Sequence, residues 1–434
     1  MDSELLCNSC AHERETGRPV TSDVVCQECL EHAATAVGRF MGVRGKPEIR
    51  SRCEAFDLPL ENTALPRELG KIVDVSPILR DGRSHWLLLA EDGLIARFDA
   101  DTCEWNRLVR ATLPSEPDHE PWRDRILKPR LHAAPNGDFA AIVNDYGYYG
   151  QVIDLRSGRV TLSLYGGDDN AETVPFSFTF AHVKGRTVAI HRTDWNRLDV
   201  SDPLTGTLLT DRNPTSWGPG EDRPIHDLDY FHGAIQISPN SVRIVDDGWV
   251  WHPVGVPATW KLEPWISDNV WESEDGPSRK AICARHYYWD HALTWLDDSR
   301  IVIGGIGDDD QDMIEGARIF DVSLTGDGEV RWRAVDGPWP CELTAFAGPA
   351  GSFFSDGHWL FSSDPSGLSR WDVIDGARTG YLQGFEPTHY HPGARELVQV
   401  VDDTLVRGAI NGGETPGARN NIARRSKQPE RRDQ

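Results

Sequence analysis

The chain has 434 residues, more than one hydrophobic core usually organises, so we expect several domains or an architecture that grows by repeats. Its formal net charge of −23 disfavours nucleic-acid binding, which draws its affinity from phosphate neutralisation by lysine and arginine. Apolar residues make up 39% of the chain, enough for a folded core, and the 40 glycines and 28 prolines between short apolar runs indicate many tight turns.

The N-terminal residues MDSELLCNSC lack the basic and apolar regions of a secretory signal. No later window approaches the roughly eighteen uninterrupted apolar residues of a membrane span. We therefore expect a cytoplasmic protein that does not enter a membrane. The excess of arginine over lysine is typical of a bacterial chain from a GC-rich genome.

Four of the eight cysteines form two C-x-x-C pairs near the N-terminus. Cys7 and Cys10 form the first pair, and Cys26 and Cys29 form the second, fifteen residues further on. This spacing brings four thiolates around one tetrahedral ion, and zinc fits best because it accepts four sulfur ligands without redox chemistry. We expect a structural Zn²⁺, since a closed shell leaves no position for a substrate; redox use of a C-x-x-C pair is the alternative.

Apolar residues recur at helical spacing after the second cysteine pair, so residues 1–45 are predicted to form a treble-clef-like zinc module with a short helix. The segment VVCQECLEHAATAVGRF, residues 24–40, resembles part of the small zinc-binding domain at the N-terminus of the bacterial Clp unfoldase. The resemblance implies a zinc-dependent docking or dimerisation module. Unfoldase activity would need a GxxxxGK[ST] phosphate loop, which the sequence lacks.

A repeated hairpin organises the rest of the chain. The stretch GLSRWDVIDGART, residues 367–379, shows a strand, an aspartate at the turn and a glycine before the next strand, and looser copies lie at residues 93–105, 150–160, 196–207 and 316–330. Such a repeat predicts a β-propeller over residues 70–410. Seven blades would average about 49 residues and six about 57, against a typical period of roughly 40–50. The predicted fold is all-β, a seven-bladed β-propeller of four-stranded antiparallel blades.

The repeats resemble WD-repeat and related quinoprotein-like propellers, to which the RWDVI segment at residues 370–374 comes nearest. The resemblance is to the architecture and identifies no single family. Blade 6 is predicted to begin at Leu343, and blade 7 needs a strand from elsewhere. Within the predicted linker 46–69, residues 51–60 are a candidate for the strand that closes the ring. Residues 411–434 are predicted to form a disordered basic tail.

Two clusters suggest chemistry. The loop GGIGDDDQD, residues 304–312, is rich in oxygen ligands for calcium but lacks the spacing of an EF-hand, so an exposed acidic turn is favoured. His389 and His391 would point the same way on a strand, as shared metal ligands would, but ordinary packing is favoured. The aspartates that end the repeated strands are expected to accept hydrogen bonds from their own turns: Asp99, Asp154, Asp199, Asp321 and Asp372.

The insertion at residues 269–290 interrupts the repeats with a high density of tryptophan, tyrosine, arginine and charged residues. These residue types are the usual anchors of protein interfaces, so we predict a partner-binding loop with Trp271, Arg285, His286 and Trp289 as its contacts. If so, replacing Trp271 and Trp289 should abolish binding without destabilising the fold.

The sequence favours a non-enzymatic scaffold, in which the propeller presents loops to a protein partner and the zinc module makes a second contact. The alternative is a hydrolase or lyase at the central channel. Convergence of His286, His291, His389 and Asp308–Asp310 in one pocket would favour that enzyme. Nucleic-acid binding is disfavoured because the zinc module has no basic stripe.

Overall fold

The computed structural model describes residues 49–52, 56, 58–118, 120–213, 225–226, 228–324 and 341–410. The chain divides into two compact units, residues 1–50 and 51–434. The predicted zinc module, its four cysteines and the predicted basic tail lie outside the described residues. Within the described ranges, no helix has the length and hydrophobicity needed to span a bilayer.

The described strands form seven antiparallel sheets, arranged as a seven-bladed β-propeller. The first strand of the described residues, β1 (Leu60–Ala64), belongs to the last blade. Blades 1 to 3 contain β2 (Ile72–Arg80), β3 (Arg83–Ala90), β4 (Leu94–Asp99) and β5 (Glu104–Arg110); β6 (Lys128–Ala133), β7 (Phe139–Asp145), β8 (Tyr149–Asp154) and β9 (Arg159–Tyr165); and β10 (Phe178–Val183), β11 (Arg186–Asp194) and β12 (Arg197–Ser201).

Blade 4 is larger because the insertion adds short strands to its sheet. It contains β13 (Phe231–Ile237), β14 (Arg243–Val250), β15 (Val254–Gly255), β16 (Ala258–Lys261), β17 (Lys280–Ala281) and β18 (Arg285–His286), with the helix α1 (Leu262–Ser267) between β16 and β17. Three-residue 3-10 helices lie at Arg67–Leu69, Ala171–Thr173 and Asp310–Asp312.

The remaining blades return the chain to its start. Blades 5 to 7 contain β19 (Leu293–Trp295), β20 (Arg300–Ile306), β21 (Ile314–Asp321) and β22 (Glu342–Ala347); β23 (Ser352–Ser355), β24 (Leu360–Asp364), β25 (Gly367–Trp371) and β26 (Arg378–Gln383); and β27 (His389–His391), β28 (Glu396–Val401) and β29 (Thr404–Ala409) with β1. The innermost strands contact one another in the order β27, β2, β6, β10, β13, β19 and β23.

The core lies between blades, and β3 shows why its sequence is continuously apolar. Leu87 and Leu89 pack with residues of blade 2, whereas Trp86 and Leu88 pack with residues of blade 7. Successive side chains of a strand point to opposite faces, so a strand covered on both faces needs apolar residues at every position. All four side chains are fully buried.

The aspartates of the repeated hairpins hold the turns that follow them. The carboxylates of Asp99, Asp154, Asp321 and Asp372 each accept a hydrogen bond from the backbone N–H two residues on, at 2.8–3.0 Å. The predicted turn role is confirmed at these four positions. Asp199 instead accepts hydrogen bonds from the side chains of neighbouring strand and loop residues, and is part of a buried network.

One predicted blade boundary is wrong. The segment from Leu343 was predicted to open blade 6, but β22 (Glu342–Ala347) pairs with β21 and is the fourth strand of blade 5. Residues 330–335, whose sequence predicts the fourth strand of blade 5, lie outside the described residues. Both segments alternate apolar and polar residues, so the pattern alone does not distinguish an outer strand from an inner one.

Ring closure depends on β1, which pairs antiparallel with β29 and supplies the outermost strand of blade 7. This strand begins at Leu60, the last residue of the candidate segment 51–60, whereas Ser51 forms an isolated bridge to Arg378 of blade 6. The closure is reinforced by the buried Arg407. Its guanidinium donates to Glu61 at 2.7 Å, to Asp101 at 2.8 Å and to Glu396 at 3.2 Å.

The arginine at the closure should be needed for stability. We predict that Arg407→Met lowers the free energy of unfolding by about 3 kcal/mol, because Glu396 would remain buried without its cation. Urea denaturation measures the change. Arg110→Met is the matched control, since Arg110 pairs with Asp92 at the surface, and it should leave the midpoint unchanged. Equal effects of the two substitutions would contradict the assignment.

Candidate functional site

Five aromatic side chains form a continuous stack on one face of the propeller. We call this face the upper face; it carries the connections between blades and those between the second and third strands of each blade. Ring centroids are 4.8 Å apart for Trp122 and Trp289, 4.8 Å for Trp289 and Trp249, 4.2 Å for Trp249 and Phe231, and 4.6 Å for Phe231 and Trp195. We call these five residues the aromatic column.

The aromatic column joins loops that belong to different blades. Trp122 lies in the connection from blade 1 to blade 2, and Trp289 lies in the connection from blade 4 to blade 5. The backbone N–H of Trp122 donates to the carbonyl of Glu172, in the connection between blades 2 and 3, at 3.0 Å. The indole N–H of Trp289 also donates to the carbonyl of Thr173, from the connection between blades 2 and 3, at 3.2 Å.

Asp290 joins the same loops by polar contacts. Its carboxylate accepts hydrogen bonds from the hydroxyl of Tyr146 at 2.9 Å and from Nε of Arg125 at 3.1 Å. Burial raises the pKa of Asp290 to about 7, although both partners oppose the shift. Burial and the neighbouring carboxylate also raise the pKa of Tyr146. The carboxyl group therefore holds its proton up to near-neutral pH.

Four residues of these loops have left-handed backbone. Arg123, Tyr146, Tyr287 and Asp290 all have positive φ, at 58°, 62°, 54° and 58°. Left-handed backbone costs free energy for residues with a side chain, and persists only where surrounding contacts determine it. The hydrogen bonds of Asp290 with Tyr146 and Arg125 are contacts of this kind, and they hold the left-handed backbone in place.

A buried ion pair supports the base of the insertion. Arg285 donates to Asp247 at 3.2 Å and to the carbonyl of Gly304 at 3.0 Å, so it links blades 4 and 5. Asp247 also accepts the backbone N–H of His291 at 3.3 Å. Burial, followed by the nearby arginines, lowers the pKa of His291 to about 3, and its ring stacks on Tyr288 at 3.6 Å. His291 is therefore neutral at physiological pH.

The four residues predicted to contact a partner have different surroundings. Trp289 and Arg285 are buried, so neither side chain is exposed to a partner in this structure. Trp271 is partly buried, stacks on His226 at 4.3 Å and lies 5.3 Å from the guanidinium of Arg212. His286 is partly exposed.

The residues proposed for channel chemistry converge only in part. His286 donates its backbone N–H to the carbonyl of Asp308 at 2.7 Å, so the acidic turn and the insertion are neighbours. His389 instead pairs with Asp74 at 3.2 Å, between blades 7 and 1. His391 donates to the carbonyl of His85 at 3.1 Å. Among the described residues, no group of three or more histidine, cysteine or carboxylate side chains is arranged to hold a metal ion.

A shallow groove of about 470 Å³ lies beside blade 2 on the upper face. It is bordered by Leu113, Lys128 and Asn144, and by Glu116, whose carboxylate accepts the backbone N–H groups of the turn after β7 at 2.9 Å. Because this carboxylate is already hydrogen-bonded within the fold, we assign the groove no chemistry.

Two further aromatic residues of the upper face are exposed; one, Tyr287, belongs to the predicted partner-binding loop, but neither was predicted as a contact. Trp251 is 56% exposed and Tyr287 is 49% exposed. The Trp251 ring lies 6.1 Å from Trp249 and 6.3 Å from Phe231, and Tyr287 donates its backbone N–H to the carbonyl of Pro253 at 2.9 Å. We call the turn 251–253 together with Tyr287 the upper tip. Trp249 and Trp251 are two positions apart, so a continuous strand would place both on the same face. Because β14 ends at Val250, between them, Trp249 is buried and Trp251 is exposed.

The chain matches no known protein family, and no curated protein is significantly similar to it in sequence.

The aromatic column should be essential to the fold. We predict that Trp289→Ala lowers the free energy of unfolding by about 3–5 kcal/mol, because a buried indole stacked on both faces is removed. This reverses the expectation that its replacement leaves the fold unaffected. Thermal and urea denaturation measure it, with Trp251→Ala as the matched control. A Trp289→Ala protein as stable as that control would contradict the role of the column.

Asp290 should make stability depend on pH. Its folded pKa of about 7 exceeds the unfolded value of about 3.9, so between these values the folded state retains a proton that the unfolded state releases. The stability contributed by Asp290 therefore falls as the pH rises from about 4 to about 7.

Asp290→Asn removes this titration while keeping an oxygen that accepts the Tyr146 hydroxyl. We predict that its melting temperature relative to wild type increases from pH 4 to pH 7 and is constant above that range. Asp124→Asn, which changes a carboxylate whose side chain is 94% exposed, should show no such trend. A difference between Asp290→Asn and wild type that does not vary with pH would show that the carboxyl does not titrate in this range.

Proposed function

We propose that this protein is a non-enzymatic scaffold that binds a protein partner through the upper tip, with the N-terminal zinc module as a second contact. The observation that carries the proposal is the pair of exposed aromatic side chains, Trp251 and Tyr287, on a short extension of blade 4. Tryptophan and tyrosine, with arginine, are the residues that most often dominate binding energy at protein interfaces.

The support beneath the upper tip favours binding. Trp249 pairs with Gly255 and Val250 with Val254, so β14 and β15 hold the turn from both sides. Val254 pairs in turn with His286 of β18. A contact surface that is already fixed loses little conformational entropy on binding, which leaves more of the contact energy for affinity.

The aromatic column also favours a surface function over chemistry in the channel. Trp289 and Trp249 are buried and stacked on each other, so the loops that carry them are packed together. Packed loops of this kind suit the presentation of a contact surface to a partner.

The alternative, a hydrolase or lyase, is favoured by one observation. Asp290 combines a pKa near neutrality with a hydroxyl and a guanidinium within hydrogen-bonding distance, which suits a general acid. Turnover of an aryl glycoside or lactone by wild type, lost in Asp290→Asn, would establish this alternative in place of the scaffold.

The zinc module remains a prediction from the spacing of Cys7, Cys10, Cys26 and Cys29. We expect the purified full chain to carry one equivalent of zinc, measured by atomic emission, and Cys26→Ser to lose it. Cys283→Ser is the control, because this buried thiol belongs to the propeller. Zinc retained at full occupancy by Cys26→Ser would contradict the four-cysteine site.

Partner binding is tested by affinity capture from the native host with the full chain as bait. We expect the double variant Trp251→Ala/Tyr287→Ala to lose specifically captured proteins by about tenfold or more, quantified by mass spectrometry. The matched control is Tyr165→Ala/Tyr381→Ala, which removes two partly exposed aromatic side chains from outer strands of blades 2 and 6.

Circular dichroism and melting temperature must match between both double variants and wild type. A captured set that both double variants retain equally would contradict the upper tip as the binding surface. If Cys26→Ser leaves the captured set unchanged, the zinc module makes no second contact.

A further inference from the structure

We propose that the segment bound at the upper tip is basic: an arginine- or lysine-bearing peptide whose cation lies over Trp251 or Tyr287 and is paired by the neighbouring aspartates. This inference rests on the proposed function and specifies the chemistry of the partner. We call residues 308–312 the acidic loop.

The acidic loop lies directly beside the upper tip. Tyr287 is hydrogen-bonded to Pro253 on one side, and the preceding residue, His286, donates its backbone N–H to Asp308 on the other at 2.7 Å. His286 and Asp309 form a parallel bridge. Bridged chain segments lie about 4.8 Å apart, so the backbone of Asp308 and Asp309 is within about 10 Å of Pro253.

The acidic loop has more negative charge than its neighbours neutralise. Two arginines approach it: Arg318 lies 3.4 Å from Asp308, and Arg123 lies 3.4 Å from Asp310. Arg318 is shared with Glu342, at 2.7 Å, and Asp308 remains 68% exposed.

Among the described residues, no lysine or arginine forms an ion pair with the other two aspartates of the loop. The carboxylate of Asp309 accepts the backbone N–H of Gln311, at 3.0 Å. Asp312 is exposed, and the described part of the chain contains no ion pair to it. A cation from a partner therefore finds carboxylate charge available at the edge of the upper tip.

The aromatic rings of the upper tip offer the second half of the site. At the other end of the aromatic column, Arg123 lies over the ring of Trp122 with its guanidinium carbon 4.1 Å from the centroid. In the described ranges, no lysine or arginine lies over Trp251 or Tyr287. An exposed indole or phenol face attracts a cation, and Trp is the strongest such acceptor.

The negative net charge of the protein favours a basic polypeptide over other classes of partner. The chain carries a net charge of −23, which repels the phosphates of nucleic acids and of anionic lipid surfaces. The same field attracts a basic polypeptide and accelerates its encounter with the upper face. A peptide cation satisfies both halves of the site at once, since it lies over an aromatic ring while it donates hydrogen bonds to the neighbouring carboxylates.

Binding of labelled peptides to the full chain tests this inference. The probe is a fluorescein-labelled peptide of alternating arginine and glycine, and its counterpart replaces each arginine with glutamate. Fluorescence anisotropy at physiological ionic strength should show binding of the arginine peptide only. We expect Trp251→Ala to weaken binding about tenfold, and Asp308→Asn/Asp312→Asn to weaken it about fivefold.

Matched controls separate a local site from general attraction to an acidic protein. Asp81→Asn/Asp298→Asn makes the same change in net charge at exposed turns of the opposite face, between the first and second strands of blades 1 and 5. Tyr165→Ala removes a partly exposed aromatic side chain away from the upper tip. Both controls should bind the arginine peptide within about twofold of wild type.

Two outcomes would overturn the inference. Equal weakening by Asp308→Asn/Asp312→Asn and by Asp81→Asn/Asp298→Asn would show that the peptide binds through the net charge of the protein and not at the acidic loop. The arginine peptide could fail to bind while capture of partner proteins still depends on Trp251 and Tyr287. That result would reject a basic partner and leave the proposed function in place. Captured proteins that do not depend on these residues would reject the proposed function itself.

Discussion

Each blade of this propeller can bury both of its faces only when a neighbour stands on either side. The two core clusters that meet at β3 show this directly, because one is completed by blade 2 and the other by blade 7. The pairing of β1 with β29 therefore supports more than one sheet. It holds blades 7 and 1 against each other, and the contacts of Arg407 with Glu396 and Asp101 join the two blades at the same place.

The loops of the upper face also depend on contacts between different blades. Loops from different parts of the ring meet at the aromatic column, where Trp289 stacks between Trp122 and Trp249 and Asp290 joins Tyr146 to Arg125. The buried residues of the insertion therefore hold these loops together. Beside them, Trp251 and Tyr287 are exposed on segments that the pairing of β14, β15 and β18 supports.

The architecture was predictable because its signal is repeated. An aspartate and a glycine mark the hairpin turns. The aspartate accepts a hydrogen bond from the backbone of its own turn, so its role does not depend on distant parts of the chain. The blade boundary near Leu343 was not predictable, since inner and outer strands alternate in the same way. Composition also did not distinguish buried from exposed tryptophans. Trp289 and Trp251 are the same residue type, and the course of β14, β15 and β18 determines which of them is buried.

The closure of the ring also sets the order in which the protein is completed. Glu61 and Arg407, which meet at the closure, are separated by 346 positions in the chain. During synthesis, β1 emerges before the other described strands, and its partner β29 follows more than 300 residues later. Loop closure over such a distance is slow, and the waiting edge is exposed to pairing with other chains. Closure of the ring therefore competes with pairing between chains, and the latter is favoured by a higher concentration of incomplete chains.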